Sequence, residues 1–207
     1  MEGSANINTL RFLQEENQRL RAVNEELNEE LSSLRNVLKS VRGLQQVIAN
    51  LDTRVELQPL LDRILYEALR VVDAADGSLI LLDEETKELV FVLVRGTLAE
   101  VLQRHRMPAD TGVAGWVMTN KEPAIINNAQ QDERFYAAVD AQFQFHTESL
   151  ACVPLISRGR ALGVIEVVNK FSGQPFNEHD LEMLTLLAPI AATAIDLAAV
   201  LAENEHH

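Results

Sequence analysis

An α+β domain built on an antiparallel sheet, preceded by a coiled-coil helix, is the fold that this sequence predicts. Three observations predict it. Apolar residues recur at heptad spacing for about forty residues from the N-terminus. Beyond Gly77 come short apolar runs separated by polar turns, the signature of strands and hairpins. Helical periodicity brackets those runs on both sides.

The heptads come first. Leu13, Leu20, Leu27, Leu34, Val41 and Ile48 occupy position d, and Leu10, Asn17, Asn24, Leu31, Leu38 and Gln45 occupy position a. Repetition over more than four heptads predicts a coiled coil. Asn17 and Asn24 place amides in the seam, which lowers stability and favours an in-register parallel dimer. Glu16 and Glu30 at g face Arg21 and Arg35 at the e positions of a partner helix, and both pairings attract. The register breaks near Val41, and Leu44, Ile48, Leu51 and Val55 continue it after a three-residue step. The boundaries expected are a coiled coil over 1–44, a domain over 45–203, and a tail over 204–207 of tag-like composition.

Each element of the domain has its own signal. Pro59 sits in the first turn of a helix carrying Leu61, Ile64, Leu65, Ala68, Leu69 and Val72, which ends near Asp76-Gly77. Ser78–Leu82 and Leu89–Val94 read as a hairpin around the polar turn Asp83–Lys87. Thr97–His105 reads as a helix, and a second short helix runs to Asn120 after the cap-like Asp110-Thr111. Pro123–Asn127 is a short strand, and Asn128–Phe145 is mixed loop and helix. Leu150–Ile156 and Ala161–Val168 form a second hairpin around Ser157-Arg158-Gly159-Arg160. Asn177 caps a last helix from Glu178 to about Glu203.

Composition narrows the function classes. The net charge of −13 disfavours a phosphate-backbone partner, so no nucleic acid is expected. The single cysteine, Cys152, excludes an intramolecular disulfide and a multi-cysteine zinc site. Leu184–Ala202 is apolar enough to resemble a membrane span. Its alanines, Pro189 and Asp196 predict a packed helix instead, with no membrane partner. The polar, helical opening differs from a signal peptide, and a cytoplasmic location is expected.

Five fragments, in order, resemble the GAF domain, the small-molecule-sensing module of phosphodiesterases, adenylyl cyclases, histidine kinases and bacterial regulators. They are GSLILLDEET, RMPADTGVAGWV, PAIINNAQQDERF, FHTESLACVPL and ALGVIEVVNKFSGQPFNEHDLEML, within a resemblance covering Gln45 to Ala202. It implies an antiparallel sheet with helices on one face and a roofed ligand cavity on the other. It also implies signalling dimers in which the first and last helices join a bundle. Asn169, Lys170, Phe176 and Asp180 match most of the motif seen in cyclic-nucleotide-binding members, with Leu181 where that motif has Glu. In the family this set latches the sheet edge to the last helix, here through a Lys170–Asp180 pair expected at the surface and worth about 0–1 kcal/mol.

The resemblance also implies pocket positions. Ser78 and Asp132 correspond to groups that hydrogen-bond a purine, although Ser78 also suits a strand start and Asp132 a local pair with Arg134. Ala114 opens a helix whose N–H groups suit an anion. Thr147 and Ser149 add hydroxyls, and Arg95 leaves its strand either toward the pocket or onto an exposed rim.

Catalysis finds no support. Methionine-sulfoxide-reducing GAF enzymes use several cysteines, bilin-binding ones show Cys-His, and Cys152 lies in an apolar strand before Val153. His105, His146 and His179 share no ligand spacing. The function expected is therefore a non-enzymatic, small-molecule-sensing module that acts as a parallel homodimer and relays binding to a downstream effector. A cyclic nucleotide is one candidate ligand, and the cofactor is unknown. The competing reading is a ligand-free scaffold, in which Phe143 or Phe145 would fill the cavity.

Overall fold

The computed structural model describes residues 16–21, 23–24 and 57–205, with side chains to residue 201. The chain divides into two compact units, Met1–Lys39 and Ser40–His207. In the first, residues 16–21 and 23–24 are helical, and Leu20 and Val23 are exposed at 58% and 43%. Arg19 faces Glu16 at 3.9 Å on the surface. The remaining heptad positions, with Glu30, Arg35 and the register break, lie outside the described residues.

The second unit begins with α1, Leu57–Val71, whose buried Leu60, Leu61, Ile64, Leu65, Ala68 and Leu69 form one apolar stripe. A turn with Asp73 at φ +55° leads into β1, Ala74–Asp83. The strand thus starts where the helix was expected to continue. β2, Glu88–Arg95, returns antiparallel through a turn in which the Asp83 carboxylate accepts the N–H groups of Glu85 and Thr86. A short helix α2, Ala99–Leu102, replaces most of the helix expected over Thr97–His105. After it comes a strand that the sequence does not signal, β3, Arg106–Pro108. β3 pairs antiparallel with β2 and buries Met107, and Arg106 adds surface contacts to Asp83 at 2.8 Å and Glu88 at 2.9 Å.

Next come α3, Gly112–Asn120, and β4, Ala124–Ile126. A single 3-10 turn, Ala129–Gln131, and α4, Ala137–Phe143, then roof the sheet. β5, Leu150–Ser157, and β6, Arg160–Lys170, pair through a two-residue turn, Arg158-Gly159, with both residues at positive φ. α5, Glu178–Glu205, closes the fold. Asn177 and Asp180 cap it reciprocally: each side chain accepts the other's backbone N–H, at 3.0 and 2.8 Å.

The sheet has six antiparallel strands in the order β3-β2-β1-β6-β5-β4. α1 packs on β1, and α5 lies along β5 and against α1, covering one face. Glu178–Leu201 is long and apolar enough to cross a membrane, with a mean hydropathy of 2.0. Here its Met183, Leu184, Leu187, Ala188, Ala191 and Ala192 are buried in the core. Asp196 accepts from Ser157 and pairs with Arg158 at 3.0 Å, tying the β5–β6 turn to this helix. The other face carries a second core, in which Ile80, Phe91, Leu150, Cys152 and Val164 of the sheet meet Val113, Ala114 and Val117 of α3.

Candidate functional site

Cross-strand register sets the floor of a cavity in that second core. Val94 lies opposite Ser78, Ser78 opposite Glu166, Glu166 opposite Cys152, and Cys152 opposite Ala124. Residues opposite one another point to the same face, so this row runs under the roof. The cavity measures about 90 Å³. Phe91, Leu150 and Val168 add apolar floor, and Leu98, Leu102, Met107, Phe135 and Val139 supply apolar walls.

Asp140 knits the roof together. Its carboxylate accepts the backbone N–H and the hydroxyl of Thr147, each at 2.8 Å, and the Gln130 amide at 3.1 Å. Gln130 also donates to the Thr147 carbonyl. A second clasp lies beside it: Arg134 pairs with Asp132 at 2.8 Å and stacks over Trp116 of α3 at 4.9 Å. The pairing with Arg134 holds the Asp132 carboxyl below its ordinary range.

At the entry of α3, Thr111 is extended and makes no side-chain cap, and the first bonded amide is Gly115 N–H to Thr111 O at 3.0 Å. The N–H groups of Gly112, Val113 and Ala114 thus have no partner in the helix, and all three residues line the cavity. Gly115 is required next, because a β-carbon there would stand 2.6 Å from the Asp110 carbonyl carbon.

Of the residues singled out in the sequence, Ser78, Ala114 and Thr147 line the cavity. Arg95 also contributes to its wall, but the guanidinium is drawn out to α1, where it binds both oxygens of Asp62 at 2.9 and 2.6 Å and stacks on Tyr66. Asp132 and Ser149 are not among the lining residues. Asp132 is taken up by Arg134, and Ser149 is held through its backbone by Asn169. Phe145 lines the cavity without filling it, and Phe143 packs edge-on against His105.

The latch residues do come together. The Asn169 side chain accepts the N–H groups of Glu148 and Ser149 and donates to the His146 carbonyl. Phe176 is anchored by reciprocal bonds with Asn127 and lies under the Lys170 ammonium. Lys170 reaches Asp180 at 2.7 Å with both side chains only about a tenth exposed. That corrects the expectation of a surface pair: Phe176 and the start of α5 cover it.

Glu166 escaped the sequence reading, because one acidic residue in an apolar strand resembles an outward-facing position. It faces the cavity, and no protein donor reaches its carboxyl among the described residues. By surface Glu166 is only partly buried, since the cavity reaches it; by position it lies deep, and depth governs the cost of its charge. Burial, with the Asp140 charge second, pushes its pKa up to about 7. Burial and the Glu166 charge raise the Cys152 thiol well above its usual value, which leaves it protonated and unreactive. Among the described residues no group of three or more His, Cys, Asp or Glu could hold a metal ion.

A helix-backed antiparallel sheet with a roofed, mixed-polarity cavity defines a ligand-binding sensory module. The chain belongs to the GAF domain family, whose model matches residues 55–196. It is 29% identical over 150 residues to the probable 3',5'-cyclic phosphodiesterase pde-5 of Caenorhabditis elegans, covering 68% of this chain and 20% of that protein. It is 31% identical over 149 residues to the dual 3',5'-cyclic-AMP and -GMP phosphodiesterase 11 of Drosophila melanogaster, covering 65% and 10%. The chain therefore spans a fifth or less of these curated relatives. Among solved structures, the GAF domain of a phosphoenolpyruvate-protein phosphotransferase from Coxiella burnetii superposes with a TM-score of 0.70 at 20% identity, covering 81% of this chain and 97% of that one. The free methionine-R-sulfoxide reductase of Neisseria meningitidis gives 0.62 at 21%, covering 77% and 88%. At such identities the likeness is one of fold.

Proposed function

We propose that this domain is a non-catalytic sensor that binds a small molecule in the roofed cavity and passes the event to α5, acting in the cytoplasm as a parallel homodimer coupled to an effector. The observation that carries this reading is the continuity between cavity wall and helix. Thr147 lines the cavity, its neighbours His146 and Glu148 are held by Asn169, and the next residue, Lys170, grips Asp180 in the first turn of α5. A ligand that binds two positions of the Thr147 loop with different affinity biases this chain of contacts. Support for a dimer comes from the heptads and from Leu186, Leu197 and Leu201, apolar residues left exposed on α5. The open cavity favours sensing over a ligand-free scaffold.

A cyclic nucleotide is the second reading, favoured by the names of the relatives. At about 10–15 Å³ per water, a 90 Å³ cavity holds roughly six to nine waters. A cyclic nucleotide is larger, so the roof would have to open. Thermal melting of the full chain with millimolar cAMP, cGMP and a metabolite panel tests both readings. A ligand at a thousand times its Kd adds about 4 kcal/mol and shifts the midpoint plainly. A shift with a cyclic nucleotide selects the second reading, and no shift with any compound defeats both.

A further inference from the structure

We infer that the cavity selects a small ligand bearing a cationic nitrogen, an ammonium or an amidinium, which the Glu166 carboxylate receives at the floor. This rests on the sensing role proposed above and specifies its ligand. The first ground is the charge of the lining. Asp76, Asp140 and Glu166 are all acidic, and Arg95, the single basic lining residue among the described residues, has its guanidinium engaged by Asp62.

The second ground is which of these acids is already satisfied. Asp140 accepts three hydrogen bonds from Thr147 and Gln130. Asp76 accepts the Thr97 N–H at the rim. Among the described residues Glu166 has no protein donor, and its neighbours across the sheet, Ser78 and Cys152, bring no charge. From the roof it is faced by the negative charge of Asp140. A carboxyl so placed finds its strongest partner in a cation that arrives from outside, whose charge-assisted hydrogen bond exceeds that of a water or another neutral donor.

An anionic ligand meets the opposite situation. The amides of Gly112, Val113 and Ala114, without partners in the helix, carry a helix-end charge of about half a unit, which does not offset three carboxyl groups. A neutral carbonyl or hydroxyl oxygen satisfies those amides equally well. The ligand that fits the whole site has a cationic nitrogen at one end, an apolar body against Phe91 and Leu102, and room for one neutral acceptor.

Binding then moves a proton. Glu166 is largely protonated below pH 7, so the ammonium displaces the carboxyl proton to solvent and takes its place as the partner of the carboxylate. No bond other than that O–H is broken.

The test uses the full chain and a size-matched series, n-butylamine, butyramide and butyrate, with cAMP and cGMP alongside. Midpoint shifts are read by thermal melting and affinities by calorimetry at pH 6 in two buffers of different ionisation enthalpy. Butylamine is expected to raise the midpoint most and to release close to one proton. Glu166→Gln, or Glu166→Met should Gln disturb folding, is expected to weaken butylamine about tenfold to a hundredfold and abolish the proton release. Preference for butyrate or a cyclic nucleotide, or an amine response that survives both variants, overturns this inference and leaves the sensing role standing. No shift with any of these probes overturns this inference and the cyclic-nucleotide reading, and the metabolite panel then decides the sensing role.

Discussion

Lys170 on β6 and Asp180 on α5 meet at 2.7 Å in an ion pair that is about nine-tenths buried. A charge left alone in such a place costs far more than the pair itself contributes. Lys170→Met is therefore expected to destabilise the domain by about 3–5 kcal/mol. Lys170→Met with Asp180→Asn should cost at least about 1 kcal/mol less than the two single changes added together. Urea unfolding of the four proteins of this cycle measures the coupling, and additive costs would mean that the pair does not join strand to helix.

Glu166 makes stability depend on pH in a defined direction. Between its ordinary value of 4.5 and about 7 the folded chain keeps a proton that the unfolded chain has released, so this residue's contribution falls as pH rises through that window. Glu166→Gln removes the slope. At pH 8 the variant should be more stable by about 1–3 kcal/mol, and near pH 4.5 the two proteins should melt together. Parallel melting curves across the whole range would show that the carboxyl is not deep.

Asp140 serves the roof. Asp140→Ala leaves the Thr147 N–H and hydroxyl without their acceptor, and a loss of about 2–3 kcal/mol is expected. Hydrogen exchange should report it locally, with protection lost at Thr147 before the sheet is affected. Uniform loss across the domain would mean that the roof does not open by itself.

Two glycines separate crowding from backbone strain. A β-carbon on Gly163 would run into the Ile80 carbonyl oxygen of the neighbouring strand, whereas one on Gly159 meets open space. Gly163→Ala should cost about 2–3 kcal/mol or more. Gly159→Ala carries only its positive φ, at about 1–2 kcal/mol. Equal midpoint losses would contradict the close approach of β6 to β1.

Leucine at both seam asparagines tests the N-terminal register. Asn17→Leu with Asn24→Leu is expected to raise the melting temperature and broaden the oligomeric state in sedimentation experiments. If neither property changes, the heptad assignment is wrong.

Strands with paired apolar faces were legible from sequence, because burial on both faces leaves runs such as Ser78–Leu82 and Ala161–Val168. β3 was not. Its residues are Arg106, Met107 and Pro108, and what holds it is the ladder to β2, with the Arg106 guanidinium between Asp83 and Glu88, contacts that depend on a hairpin already folded. Ser78, Ala114 and Thr147 were legible through family fragments and do line the cavity. Arg95 shows why charged positions resist such reading: sequence places it at the strand end, and only the packing of α1 supplies Asp62 and Tyr66 to draw it outward. Glu166 was hidden for a related reason, since alternation along β6 reveals its face only when one knows which side of the sheet the roof covers.

The outermost strands, β3 and β4, are three residues long. Each therefore presents too few free backbone groups for a strand of another chain to extend the sheet, which is the usual route by which antiparallel sheets aggregate. Many copies can crowd together, or sit in tandem along one polypeptide, without their sheets fusing. Association is left to helices and loops, whose contacts can be remade without breaking a ladder.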